Sequence, residues 1–392
     1  MILTRKQEDG LKIAVQRYRS GEAYTVIAGY AGTGKSTLIR FIIAALGLES
    51  YQVSYVAYTG KAAQVLRSKG CPNACTAHRL LYRSVPQEDG TFKHIERKSL
   101  GTALKLIVVD EVSMIPRKIW ELLLSHHIHV IALGDPAQLP PVKQESCGAL
   151  EHPHIFLDEI MRQAEDSEII RLTMDIRAHK PLVYGRGEEV KIVGAQEFFV
   201  PDFLQWADQI ICAKNNTRNM INAQMREAKY GEGVSSLPQS DDKIICLKND
   251  WNTVNAPGDA LVNGLGGKIK NVREHFYNAY VGNCLQADFY PDCYDDDLGM
   301  FLDVNMDKHM FIDHKPTDNQ LRPGMMIPHE LQPCQFDYGY CITCHKAQGS
   351  EWDKVIVFEE FMKGDNADTH ARWLYTAATR AAKQLIIVKD WR

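Results

Sequence analysis

Eight residues, Gly29-Tyr30-Ala31-Gly32-Thr33-Gly34-Lys35-Ser36, have the phosphate-loop form G-x-x-x-x-G-K-[ST]. They follow the apolar run Tyr24–Ala28 and lead into the helical pattern Thr37–Ile43. Strand, glycine loop and helix start form the context in which this pattern carries meaning. Backbone N–H groups from Gly29, Ala31, Gly32, Thr33 and Gly34 can converge on phosphate at the start of a helix, where the peptide dipoles favour an anion. Lys35 is placed to neutralise β- and γ-phosphates, and Ser36, followed by Thr37, to hold Mg²⁺. Such a segment commits the chain to an α/β core that takes a nucleoside triphosphate.

Carboxylates suited to that ligand come later. Leu106–Val109 reads as a buried strand ending in Asp110 and Glu111. An aspartate at a strand's C-terminal end can hold Mg²⁺ beside the phosphate loop, and Glu111 can deprotonate an attacking water. A further apolar strand runs into Gly134-Asp135-Pro136-Ala137-Gln138-Leu139-Pro140. The neutral amide of Gln138 can contact a γ-phosphate or the lytic water without adding negative charge. Arg162 and Arg380 are the candidate cations for the transition state, since arginine fingers contribute about 10³–10⁵ in rate.

Strands expected at Thr25–Ala28, Gln52–Ala57, Leu106–Asp110 and His129–Leu133 alternate with helical patterns, which predicts a parallel sheet covered by helices on both faces. Asp89-Gly90 is a hairpin-turn signal inside that region, so residues 82–103 read as an inserted β-hairpin. Phe92 and His94 near its tip either pack the hairpin against its own core or, if the ligand is a duplex, stack on its last base pair. Base–aromatic stacking returns about 1–3 kcal/mol, against about 1.4 kcal/mol per step to open a pair. A second strand–helix series starts at Gln209–Ala213 with a helix over Arg218–Glu227. It resumes at Val355–Phe358, with a helix over Trp373–Arg380 and a closing strand at Gln384–Val388. Residues 240–335 change to short strands and turns and read as a small β-barrel insertion. The expected organisation is a first core over 1–81 and 104–155, and a second core over 156–239 and 336–392.

With 392 residues, 45% of them hydrophobic and 24% charged, the chain has room for at least two domains. No apolar run reaches the roughly 20 residues of a membrane span, and the N-terminus lacks a signal-peptide core, so a cytoplasmic location is expected (the host cytoplasm for a phage protein). Ten cysteines then imply reduced thiols. The pair-like spacings Cys71/Cys75 and Cys341/Cys344 leave a zinc site with Cys334 open. Net charge is −4, which excludes binding of nucleic acid by blanket electrostatics and requires a local groove. The aspartates crowded between Asp288 and Asp318 read as a solvated surface.

Taken in order, six blocks resemble the superfamily 1B helicases, most closely the phage Dda and bacterial RecD type. They are Gly29–Ser36, Ala57–Ala63, Asp110–Ser113, Gly134–Val142, Thr343–Glu351 and Tyr375–Ala381. The resemblance implies two RecA-like cores with ATP and Mg²⁺ between them, the hairpin inserted in the first core and an SH3-like barrel in the second. It implies that Gln7 reads the adenine, that Arg162 and Arg380 reach in from the second core, and that Glu351 lies near the ribose or phosphates. It implies that Thr59, Lys61, His78, Thr343, His345 and Lys346 line a single-strand track, with Asn215 in a further family-like block. The expected activity is ATP-dependent unwinding of forked duplex DNA, moving 5′ to 3′ on single-stranded DNA as a monomer. Replication or single-strand-binding proteins are the expected partners. A translocase that does not unwind, and a nucleotide-gated loading module, are the alternatives. Alanine at 378 stands where the family often has a larger aliphatic residue, and the hairpin and barrel show only loose similarity.

Overall fold

The structure, a computed structural model, describes residues 3–71, 73–86, 92–140, 145–161, 166–196, 202–256, 258–294, 299–317, 320–322, 325–328 and 331–391. Near-continuous apolar runs with both faces buried form two parallel sheets, as expected for strands covered by helices. The first sheet has the order Cys75–Thr76, Val53–Ala57, Leu106–Val109, His129–Gly134, Tyr24–Gly29, Ile155–Leu157, all parallel. Three adjacent strands therefore deliver the phosphate loop, Asp110-Glu111 and Asp135–Gln138 to one carboxyl edge, where α/β sheets place their ligands.

The second sheet has the order Cys341–Thr343, Gln209–Cys212, Trp352–Phe358, Ala381–Lys389, Val190–Gly194, Gly185–Arg186, parallel except for its last strand. These two sheets with their helices are the first and second lobes below.

Residues of the insertion form a five-stranded antiparallel sheet of Phe301–Met306, Gly282–Pro291, Gly266–Asn278, Lys243–Cys246 and Phe336–Tyr338. A parallel bridge joins Met306 to Cys334, just ahead of the last strand, and closes the sheet on itself. Phe289, Phe301 and Phe336 fill its interior without exposure. Strand pairing extends this unit past residue 335, because Phe336–Tyr338 belongs to its ladder.

The strand Ile155–Leu157 likewise crosses the boundary expected at 155/156. Phe156 and Leu157 pair with Ala28 and Gly29 of the first sheet. Three residues are too few to show a period in sequence. The helix expected over Trp373–Arg380 spans Ala367–Ala378, capped by Asn366, so Arg380 lies beyond its end. The hairpin strands Tyr82–Pro86 and Phe92–Glu96 pair antiparallel. Residues 87–91 at its tip and the Phe92 and His94 side chains lie outside the described residues.

One buried ion pair ties the barrel to the second lobe. Arg226, on the helix Asn215–Tyr230, donates from Nε to both carboxylate oxygens of Asp242 at 3.2 Å. Its terminal nitrogens donate to Ser235 O at 2.6 Å and Leu237 O at 2.9 Å. Asp242 also accepts from Tyr340 OH and Gln239 N, both at 2.9 Å. Breaking one side of such a pair strands the other charge, so Arg226→Ala is expected to cost about 3–5 kcal/mol. The double change Arg226→Met with Asp242→Leu is expected to lose less. Urea unfolding followed by circular dichroism measures both.

Candidate functional site

The phosphate loop turns through Gly32 and Gly34, both at φ 77, a left-handed conformation that side chains resist. A Cβ on Gly34 would come 2.5 Å from Gln7 Nε2 and 2.6 Å from Met161 Sδ, so both side-chain ends would have to shift to admit it. Gln7 completes a capping box with Thr4 and donates from Nε2 to Thr33 O at 3.1 Å, which puts it beside the loop. Lys35 Nζ donates to Gly29 O at 2.7 Å and Tyr30 O at 2.9 Å, folding its ammonium into the loop. Burial pushes the Lys35 ammonium pKa down, against the attraction of Asp135, Glu111 and Asp110.

These groups open onto a cavity of about 360 Å³ between the lobes, lined by Lys35, Ser36, Asp110, Glu111, Gln138 and Arg380 among others. Burial raises the pKa of both carboxylates, with Arg380 the leading opposing influence on Glu111. Glu111 itself sits at φ 55. Arg380 is 6% exposed, and its Nη1 lies 3.9 Å from Glu111 Oε1. The hydrogen-bond network assigns the Gln138 amide. In that orientation it donates to Glu111 Oε2 at 2.7 Å and accepts from Arg380 Nη2 at 3.3 Å. Glu111 and Gln138 come from the first lobe and Arg380 from the second, so the three meet only where the lobes close on each other.

The hydroxyl of Ser36 and the carboxylate of Asp110 face the same cavity, a hard-oxygen set that suits Mg²⁺. Glu351 lines that cavity and pairs with Lys69 across the lobes at 3.4 Å. Arg162 lies outside the described residues.

Four groups at this junction went unassigned by sequence reading. Tyr375 OH donates to Asp135 Oδ2 at 2.5 Å and accepts from Ala31 N at 3.0 Å, so a second-lobe hydroxyl bridges two first-lobe loops. Ser350 Oγ is buried with no hydrogen-bond partner among the described residues, and Ser350 lines the cavity. Arg177 lays its guanidinium 3.3 Å over the Tyr30 ring, with Nε and Nη1 unpartnered among the described residues. Tyr375 and Ser350 fall inside blocks already singled out, so a list of their polar side chains would have raised them. Asp135 falls inside such a block as well, whereas Arg177 carried no such signal.

A second cavity, of about 510 Å³, is lined by Tyr58, Thr59, Lys61 and His78 from the first lobe and His345 and Lys346 from the second. Burial lowers the Lys61 pKa to about 8 and also lowers those of His345 and Lys346. Of the other expected contacts, Thr343 immediately precedes the helix Cys344–Ala347, and Asn215 is exposed at the start of its helix. Among the described residues no cluster of three or more metal-ligating side chains occurs, so the cysteines build no zinc site there. No described helix is long and apolar enough to cross a membrane.

Residues 3–196 match the AAA domain family and residues 338–388 the UvrD-like helicase C-terminal domain family. The ATP-dependent DNA helicase dda of Enterobacteria phage T4 is 30% identical over 43% of this chain and 39% of its own length. The ATP-dependent RecD2 DNA helicase of Deinococcus radiodurans is 26% identical over 92% of this chain and 46% of its own length. An uncharacterized protein of Acanthamoeba polyphaga mimivirus is 33% identical over 92% of this chain and 94% of that protein. The chain is similar to ATP-dependent DNA helicases, with an AAA region followed by a UvrD-like helicase C-terminal region. It spans less than half the length of the dda and RecD2 helicases it matches. Two solved helicase structures share its fold of paired RecA-like lobes. Bacteroides Pif1 in complex with ADP-AlF3 and ssDNA has a TM-score of 0.56 at 17% identity, covering 99% of this chain and 92% of that one. Candida albicans Pif1 has a TM-score of 0.54 at 18% identity, covering 99% and 94%.

Proposed function

We propose that the chain is an ATP-dependent DNA helicase that moves 5′ to 3′ on single-stranded DNA and opens forked duplex, working as a single copy. One observation carries this reading: the two cavities share walls. Gly60 and Lys61 line the larger one, while Ala62, Val65 and Leu66 of the same helix line the nucleotide cavity. In the second lobe His345, Lys346 and Gln348 line the larger cavity, and Gly349, Ser350 and Glu351 line the other. A change of lobe spacing around nucleotide thus shifts one strand-gripping segment against the other, which is how hinge closure becomes directed motion.

Triphosphate binding draws the Lys35 ammonium from the Gly29 and Tyr30 carbonyls onto the phosphates, beside the loop amides. Mg²⁺, held by Ser36 and Asp110, would supply charge neutralisation on the phosphate oxygens. Glu111 takes the proton of the attacking water on a carboxylate oxygen, and Gln138 orients that water. The Arg380 guanidinium meets the negative charge that develops. On the other side, Thr59, Lys61, His345 and Lys346 offer hydroxyl, ammonium and imidazole donors to strand phosphates. The similar ATP-dependent DNA helicases of phage T4 and Deinococcus radiodurans support the same substrate.

A fluorescent fork with one single-stranded tail tests the proposal. ATP-dependent opening is expected with a 5′ tail and is expected to vanish with a 3′ tail or with Lys35→Ala. Opening only from a 3′ tail would overturn the direction, and ATP turnover without opening of either fork would leave a translocase.

A further inference from the structure

The larger cavity has a third wall that neither lobe provides. Asn249, Trp251, Asn263 and Gly264, all from the barrel insertion, face Tyr58, His78 and Tyr82 across it. On the first-lobe side the His78 and Tyr82 rings stack, with centroids 5.9 Å apart and planes at 23°. Tyr58 continues the row, 6.0 Å from His78. Trp251 is 40% exposed and lines this cavity, so part of its indole face is open to a ligand there.

That exposure is fixed by construction. Trp251 sits on the strand Asp250–Val254, whose first carboxylate holds the backbone around it. Asp250 accepts from Asn252 N at 2.9 Å, Thr253 Oγ1 at 2.7 Å and Cys334 Sγ at 3.1 Å. The barrel as a whole is pinned over the cavity. Arg67 of the first lobe donates to Asp259 at 2.6 Å, and Tyr294 OH donates to the same carboxylate. Lys346 Nζ donates to Asn263 Oδ1 at 3.1 Å, and Gly60 packs so closely on Val262 that a Cβ would collide. Cationic and hydroxyl donors and a row of aromatic rings therefore line the lobe side of the cavity, and the barrel side adds the Trp251 indole.

From this arrangement we infer that Trp251 is a base-stacking platform: the insertion is the third wall of the strand site, and the strand lies between barrel and lobes with a base on the indole. This rests on the proposed single-strand binding and adds to it a residue and a wall. Every base has a π-face, so such a platform binds without sequence preference. A base on Trp251 also couples the barrel to the strand at each step.

Equilibrium binding of a short labelled dT oligonucleotide, and of an abasic deoxyribose-phosphate oligomer of equal length, tests the inference. Trp251→Ala is expected to weaken dT binding by about 5- to 150-fold, the range for loss of one stacked base. The same variant is expected to bind the abasic oligomer as the wild type does, and Trp251→Phe is expected to keep most of the dT affinity. Oligo(dT) is also expected to quench tryptophan emission more in the wild type than in Trp251→Phe, a readout that stands even where Trp251→Ala fails to fold. Equal weakening of dT and abasic binding, or unchanged dT affinity with unchanged quenching, overturns the inference while leaving strand binding intact. A wild-type protein that binds no dT would instead overturn the proposed function, and this inference with it.

Discussion

Arg380→Ala is expected to lower ATP turnover by about 10³–10⁵ while leaving nucleotide affinity within a few fold, the loss typical of an arginine finger. The side chain is held for the task. Nε donates to Thr376 O at 3.0 Å, Nη1 to Ser350 O at 3.3 Å and Nη2 to Thr379 Oγ1 at 3.1 Å, which aims the guanidinium at Glu111 and Gln138. Arg380→Lys is not expected to rescue, because one ammonium cannot reproduce a planar fork that serves three carbonyl or hydroxyl oxygens and a carboxylate together. A second consequence concerns pH. Burial already raises the Glu111 pKa, and Arg380 is the leading influence holding it down. The base must be deprotonated to act, so the acid limb of kcat lies above the usual glutamate range in the wild type and moves to still higher pH in Arg380→Ala. A pH–rate series on both proteins measures this. An acid limb that stays in place, or a kcat loss below about tenfold, would remove Arg380 from the transition state.

The second large effect is at Glu111. Glu111→Gln keeps the shape of the side chain and a hydrogen-bonding partner for Gln138 but removes the proton acceptor. Turnover is expected to fall by about 10²–10⁴, the usual contribution of a general base. ATP and oligonucleotide affinities are expected to persist, because Lys35, the loop amides and the cavity around Lys61 are untouched. Steady-state hydrolysis together with equilibrium binding of a fluorescent ATP analogue separates the two quantities. Near-normal hydrolysis by this variant would assign the base elsewhere, and joint loss of binding and turnover would make Glu111 a structural group.

What could be read from sequence follows a physical line. The phosphate loop, Asp110-Glu111 and Gln138 are short segments at the carboxyl ends of buried parallel strands, where local pattern and function coincide. Arg380 was legible as a member of a block, although its helix ends earlier than periodicity suggests. Thr379 caps the helix and Arg380 turns back toward Ser350. Contacts that span the lobes were not legible. Tyr375 meets Ala31 across 344 positions and Asp135 across 240, and nothing in either neighbourhood encodes the meeting. Arg177 on Tyr30 has the same character, a cation on an ordinary amphipathic helix until the fold stacks it on the phosphate loop. The insertion was recognisable by its turns and short strands, but its place against the helix Gly60–Ser68 depends on Arg67, Asp259 and Val262, each unremarkable alone. Gln7 stands beside the phosphate loop, donating to Thr33 O, and Glu351 lines the cavity, paired with Lys69.

The shared walls of the two cavities make one quantity decisive: the rate of ATP hydrolysis with and without single-stranded DNA. If strand and nucleotide act on each other through residues 60–66 and 345–351, saturating oligo(dT) raises kcat well above the DNA-free rate, and Lys35→Ala abolishes both. A hydrolysis rate that is the same at every oligonucleotide concentration, in a protein shown to bind that oligonucleotide, would contradict the coupling and with it the motor.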